Sequence, residues 1–161
     1  MEFTETIKGF YERNAGQFGC LTTPGIGHFN VFSRENCSSI TPYSRRDYYK
    51  ISLIIGKGTL HYADKWIYVG RPALLFSNPV VPYSWEAEDE NQKGFFCLFT
   101  DHFLHNGSRL GALHDSKLFK VGGTPVFFVD DRQQETVTGI FYKMMSEIQS
   151  DYPHKYDMLR A

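Results

Sequence analysis

Cysteine is scarce in this chain. Among 161 residues there are three, Cys20, Cys37 and Cys97, widely separated and odd in number. No CxxC pair occurs, so neither a zinc knuckle nor a redox motif is suggested. Free, mostly buried thiols in a reducing compartment are the expectation. An excess of positive charge is also missing: 17 Lys and Arg face 18 Asp and Glu, for a net charge of −1. The one basic feature is the local pair Arg45-Arg46. A domain that binds nucleic acid by itself usually carries a strong positive footprint, so these residues alone are not expected to bind DNA. Long apolar runs are absent too, and none approaches the ~20 residues that span a bilayer. The N-terminus, MEFTETIKGF, has acids and no apolar core, which excludes a signal peptide. The chain reads as cytoplasmic, with no membrane partner.

What is present points to strands. The hydrophobic share of 42% and charged share of 22% are ordinary for a folded domain and exclude disorder. Aromatics make up 16%, alongside 14 Gly and 7 Pro, a mixture that favours strands and turns. The length suits one domain with a real core.

Residues 1–24 read as a leading arm in which Phe3, Ile7, Phe10, Tyr11 and Phe18 are scattered anchors that fold over something else. Residues 25–100 read as short strands joined by turns. The first is His28 to Phe32, then the long apolar strand Tyr48 to Ile55. Thr59 to Ala63 and Lys65 to Val69 flank Asp64 as a hairpin. Ala73 to Ser77 follows, broken by Asn78-Pro79, then Val80 to Glu86 and Gly94 to Thr100. Residues 87–93 form an acidic, solvated loop. The pattern then turns helical over 101–161. Asp101 can cap a short helix, Ser108 to His114 can form another, and Pro125 to Val129 is extended. Asp130 and Asp131 open the strongest helix, over 131–150, with the stripe Val137, Ile140, Phe141, Met144, Met145 and Ile148. Pro153 ends it, and 154–161 starts a new helical segment. Strands followed by helices predict a β-barrel or sandwich with a helical annex.

The six histidines make no metal site by spacing. His102 and His105 share a helix face but have no third ligand nearby. In the barrel region, His28 and His61 lack the HxH or HxD/E pattern of a strand-borne triad. No metal and no cofactor are expected. No GxSxG or GxGxxG motif occurs. The carboxylates Glu86, Glu88, Asp89 and Glu90 lie on or beside the polar loop, where such clusters are solvated. Enzymatic chemistry is not expected.

Binding chemistry is better represented. Strand 48–55 places Tyr48, Lys50, Ser52 and Ile54 on one face and Tyr49, Ile51, Leu53 and Ile55 on the other; either face can be inward. If the first is, Lys50 and Ser52 enter an aromatic barrel, where a lysine must find an anion or dense acceptors. Pro82-Tyr83-Ser84-Trp85 is a second candidate wall, since Tyr and Trp join an apolar face to a polar edge suited to sugars and other polar rings.

The stretch Arg45 to Ile51, followed by Gly56-Lys57-Gly58, resembles the N-terminal domains of AraC-type transcription regulators, in a variety found in Bacteroides-type bacteria. So does Arg71-Pro72-Ala73-Leu74-Leu75-Phe76. There Arg71-Pro72-Ala73 replaces the family's Pro-Gly-Asp, while Leu74-Leu75-Phe76 stays in register. Gly122 to Phe128, helix 131–150 and Asp151 to Asp157 complete the likeness. The resemblance implies a cupin-type double-stranded β-helix (a jelly-roll barrel) that binds a small, sugar-like effector, a helical homodimer surface, and a helix-turn-helix unit outside these residues. In a sugar-binding member the ligand lies in the barrel beneath an N-terminal arm. Alignment with it puts Ser84 and Phe96 at ligand-facing positions, Phe96 standing where that member has a stacking Trp. The candidate effector residues are thus Lys50, Ser52, Tyr83, Ser84, Trp85 and Phe96. If the stripe of helix 131–150 is used against the barrel, the dimer surface falls to Glu135, Gly139 and Tyr142. Two rival readings stay open. One is a metal-free cupin enzyme such as a sugar epimerase, with Lys50 or His61 as its base. The other is a ligand-free dimerisation module.

Overall fold

A computed structural model describes residues 4–13, 28–35, 40–104, 119, 124–151 and 153–160. The elements run β1 (Thr4–Glu5), α1 (Ile7–Arg13), β2 (Phe29–Ser33), β3 (Ile40–Arg46), β4 (Tyr49–Ile55), β5 (Gly58–Tyr62), β6 (Lys65–Val69), β7 (Ala73–Ser77), β8 (Tyr83–Ala87), β9 (Lys93–Phe99), α2 (Asp101–Leu104), β10 (Val126–Phe128), α3 (Asp131–Gln149) and α4 (Lys155–Arg160). The strands form two sheets, ordered β1-β3-β8-β5-β6 and β10-β7-β4-β9-β2. Apart from the parallel β1–β3 pair, the pairings are antiparallel. The fold is mostly β, a jelly roll with a C-terminal helical annex; the sequence pattern predicts the strands and the annex, and the family resemblance implies the jelly roll. The sheets also draw strands from outside residues 25–100: β1 from the arm, and β10, which pairs with β7.

Local chemistry explains the turns that set the register. The β5–β6 hairpin closes at the pair Tyr62↔Lys65, and Ala63 takes a φ of 53°, as a two-residue hairpin turn requires. Gly94 has a φ of 108°, and a Cβ there would stand 1.9 Å from the Leu53 carbonyl oxygen. Only glycine fits that position beside β4.

The second sheet is covered on both faces, and β4 is accordingly apolar apart from Lys50 and Ser52. Its outer face carries Tyr49 and Leu53 with Phe95, Cys97 and Phe99 of β9. The stripe of α3 lies across it through Val137, Phe141, Met144, Met145 and Ile148. Phe141 is 2% exposed and stacks on Phe95 at 5.6 Å. Ile140, placed in the stripe by spacing, is instead 50% exposed; at about 100° per residue it rotates past the seam. Asp130 accepts from the Gln133 amide at 2.7 Å, and the Gln133 side chain accepts from the Asp130 amide at 2.9 Å. This capping box satisfies two of the helix's open donors. Burial pushes the Cys97 thiol up to about 12, so it is inert packing rather than a nucleophile.

The arm docks across one end of the two sheets. Thr6 caps α1 through the Gly9 amide, and Asp47 accepts from the Ile7 amide at 2.9 Å. Ile7, Phe10 and Tyr11 then pack against Phe32, Tyr48, Phe96 and Leu98. Phe3, Phe18, Cys20, Cys37, His105, His114 and the expected helix 108–114 lie outside the described residues. Among the described residues, no helix is long and apolar enough to cross a membrane, and no three His, Cys, Asp or Glu side chains group as a metal site would need.

Candidate functional site

Alternation along β4 turns Ser52 and Ile54, with half-buried Lys50, toward the facing sheet. The pairing brings like-facing neighbours beside them. Ser77 of β7 lies next to Lys50, Phe96 of β9 next to Ser52, and Phe32 of β2 next to Phe96. The Lys50 ammonium sits 4.6 Å from the Phe96 ring centroid, within cation–π range. Across the interior, β8 contributes Tyr83 and Trp85, packed with Leu60, Leu75 and Val81.

The end of the interior beneath the arm is highly charged. Arg46 is 2% exposed, its guanidinium 3.7 Å from the Tyr83 ring centroid, and it donates to the carbonyls of Ser44 and Tyr83. Beside it Glu5 accepts from Arg13 Nε at 2.7 Å and Nη2 at 3.1 Å, and from the Tyr48 hydroxyl at 2.8 Å. Burial alone would raise the Glu5 carboxyl. The hydrogen bonds from Arg13 and Tyr48, with the charges of Arg13 and Arg46, outweigh it and hold that pKa below its ordinary value. Burial, then the nearby Tyr83 and Glu5, lifts the Tyr48 phenol well above its usual range, so it stays protonated and donates. Tyr11 of α1 joins the same region, bonding to His28 Nε2 at 2.9 Å and accepting from Asn30 at 2.9 Å.

Several buried polar atoms of this interior have no hydrogen-bond partner among the described residues: Ser77 Oγ, Tyr83 Oη and Trp85 Nε1. Tyr83 is 2% exposed and Trp85 7%. A buried polar group left unpaired costs about 1–3 kcal/mol, and folded proteins hold few of them. These three lie on the inner faces of two facing sheets.

Of the sequence candidates, the interior therefore gathers Lys50, Ser52, Tyr83, Trp85 and Phe96. Ser84 is not among them. It alternates onto the outer face of its sheet, paired in register with His61. His61 lies there too, stacked between Tyr43 at 4.4 Å and the exposed Trp66 at 4.1 Å. Sequence reasoning missed Glu5, Arg13 and Arg46, because no local pattern links the arm to the end of β3. Ser77 was findable, since it shares period-two spacing with Ala73 and Leu75.

No family model matches the chain, and no curated protein matches it. Solved structures do. The chain is similar to a cupin 2 conserved barrel domain protein from Rhodopseudomonas palustris at 16% identity and a TM-score of 0.37, over 50% of this chain and 57% of that one. It is similar to a predicted oxalate decarboxylase from Thermotoga maritima at 15% identity and a TM-score of 0.33, over 47% and 68%. It is also similar to ToxT from Vibrio cholerae, an AraC-family regulator, at 12% identity and a TM-score of 0.44, over 83% of this chain and 52% of that one. The chain thus spans little more than half the length of the first and last of these. The likenesses concern fold alone.

The other surface candidates lie on α3. Glu135, Gly139 and Tyr142 follow one another at spacings of four and three, on a face turned roughly 100–160° from Phe141. A Cβ at Gly139 would meet nothing within 4 Å, so close packing among the described residues does not explain that glycine. Tyr142 is 60% exposed while its ring edge rests on Phe95 at 5.1 Å. Next to this face is a groove of about 520 Å³ between the outer sheet face and helices α3 and α4, lined by Phe76, Phe99, Met144 and Leu159 among others. Its polar atoms Glu147 Oε1 and Arg160 Nη2 also lack partners among the described residues.

Proposed function

We propose that this chain is the effector-sensing and dimerisation domain of an AraC-type transcription regulator, working in the cytoplasm and not an enzyme. A small polar effector binds between the two sheets, beside Lys50, Ser52, Tyr83, Trp85 and Phe96. The observation that carries this reading is the unsatisfied polar set Ser77 Oγ, Tyr83 Oη and Trp85 Nε1 inside a barrel whose end is covered by α1. Binding there favours one arrangement of the arm. The energy difference between arrangements is passed to the dimer. The homodimer uses the Glu135, Gly139 and Tyr142 face of α3. Attached helix-turn-helix units, outside these residues, would read DNA. The sequence likeness to AraC-type sensing domains supports the same view.

An epimerase-like reading needs a tuned base facing the substrate; of its two candidates, His61 faces outward between Tyr43 and Trp66, which leaves Lys50, on the inner face beside Phe96, to serve. A ligand-free module would be expected to satisfy its own interior polar atoms. The test is a thermal-shift screen of sugars, acids and other metabolites. A ligand at about a hundred times its Kd adds roughly 2.7 kcal/mol, and a screen with no stabilising compound would favour the ligand-free module.

A further inference from the structure

The outer face of the sheet β10-β7-β4-β9-β2 is covered unevenly. Helix α3 packs over β2 and β9. Ile51 of β4 and Leu74 of β7, on the same face, stay half-buried. The groove of about 520 Å³ opens over them, roofed by α3 and α4. Among its lining residues are Ile140 and Met158, which are 50% and 57% exposed, so the groove is open to solvent on that side. Its volume falls within the roughly 300–1,000 Å³ of small-molecule sites. Its polar groups come in both signs. Lys143, Glu147 and Arg160 line it, and Asp157 accepts from Arg160 Nη1 at 3.0 Å. Two cations and two acids leave this wall without net charge. Arg160 is fixed in place: its Nε donates to the Phe103 carbonyl at 2.6 Å, and its guanidinium lies 4.5 Å from the Phe103 ring centroid. Glu147 Oε1 and Arg160 Nη2 are buried with no hydrogen-bond partner among the described residues. An ionised carboxylate only accepts, and a guanidinium only donates. The groove thus has one unused acceptor and one unused donor in an otherwise apolar lining.

We propose that this groove binds a neutral, largely apolar molecule ending in a carboxamide. The amide N–H donates to the Glu147 carboxylate, the amide carbonyl accepts from the Arg160 guanidinium, and the hydrocarbon part lies on Ile51, Leu74 and Phe76. A carboxylic acid would answer Arg160 but set a like charge near Glu147, and an amine would do the reverse. An amide carries a donor and an acceptor side by side with no net charge, and both of its bonds here are to ionised partners, which makes them about twice as strong as neutral ones. The site lies across the sheet from the effector position proposed above and does not rest on that reading. A second copy of this chain is the other occupant that an open apolar groove could take, and the test separates the two.

The experiment follows the methionine methyl signals of the full chain by NMR, since Met144 and Met158 both line the groove. The probes are two matched sets that share a body and differ in the polar end: indole-3-acetamide, indole-3-acetate and tryptamine, then octanamide, octanoate and octylamine. At least one amide should shift the Met144 and Met158 signals saturably, with a Kd at least about tenfold below those of its acid and its amine. Glu147→Leu removes a carboxylate with an unpartnered oxygen, so it should still melt cooperatively, and it should weaken that amide at least about tenfold. Arg160→Met serves in its place if Glu147→Leu does not fold. Equal binding of the three polar ends, or an amide affinity that the variant leaves unchanged, overturns the amide assignment. Absence of any saturable shift at Met144 and Met158 overturns the site. Shifts there that grow with protein concentration alone, together with the sedimentation coefficient, give the groove to a second copy and overturn it as well.

Discussion

The two faces of the sheet β10-β7-β4-β9-β2 share the same backbone and are built on opposite principles. On the outer face, Tyr49, Leu53, Phe95, Cys97 and Phe99 meet Phe141 and the stripe of α3 in an apolar contact. On the inner face, one residue along each strand, stand Lys50, Ser52, Ser77 and Phe96, facing Tyr83 and Trp85. Burying a large apolar side chain is worth about 1.5–3 kcal/mol, so the outer face supplies stability. The inner face gives some back, at about 1–3 kcal/mol for each unpaired polar atom. A sheet that needed only to fold would have no use for the second arrangement. Under the proposed function, the difference separates the part that holds the domain together from the part arranged to meet an effector.

Substitutions on the two faces should therefore behave differently. The largest effect belongs to the outer face. Phe141→Ala should cost about 3–5 kcal/mol, read as a fall in the denaturant midpoint at unchanged slope. A loss under about 1 kcal/mol would mean that α3 is not the lid on this core.

Next comes the junction of arm and barrel. Glu5→Gln should cost about 1–3 kcal/mol near neutral pH, because Arg13 and Tyr48 lose a charged partner. The sign follows from the lowered pKa of Glu5. Its stabilising effect is complete above the ordinary value of 4.5 and is lost as pH falls through the lower folded value. The gap between wild type and variant, compared at about pH 7 and about pH 3, should therefore close in acid. A gap of constant size across that range would show that the Glu5 network does not hold the arm.

A smaller, assembly-specific effect is expected from Tyr142→Glu. Under the dimer proposed for α3, it should weaken self-association at least about tenfold, roughly 1.4 kcal/mol, and lower the monomer's stability only by what its edge contact with Phe95 is worth, about 0.5–1.5 kcal/mol. Sedimentation velocity over a concentration series measures this. A dimer as tight as the wild type's would move the interface off this face.

The smallest effect should come from inside the barrel. Tyr83→Phe removes a hydroxyl with no described partner, so stability should be unchanged or higher by up to about 1 kcal/mol. A clear loss by chemical denaturation would mean that the hydroxyl is already paired in the free protein, and would erase the contrast between the faces.

Much of the outer face could be read in advance. The apolar run Tyr48 to Ile55 and the three-and-four spacing from Val137 to Ile148 are strong periodic signals, and each became the element expected. Strand β3 was not read as a strand. Ile40 to Arg46 contains Pro42 and polar residues, and its register shifts between Thr41 and Ser44, so no clean alternation exists to detect. The candidate site was partly legible for the same reason. Tyr83, Trp85, Lys50 and Ser52 follow from strands with clear alternation, while Ser84, drawn from alignment, breaks that alternation and faces outward.

The sequence by itself determined the periods, the turns and the caps, because these depend on neighbours within a few residues: the Ala63-Asp64 hairpin, the Asp130 capping box, the two faces of β4. It could not say which face of β4 was inward. Hydrophobicity alone would turn the face that carries Lys50 and Ser52 toward water. The orientation was decided only when α3, more than eighty residues away in sequence, covered Tyr49 and Leu53 and left Lys50 and Ser52 to the interior. The meeting of Glu5, Arg13, Arg46 and Tyr48 was likewise decided by tertiary structure. Charged groups are buried only where partners converge, and the parallel pairing of β1 with β3 brings these partners together.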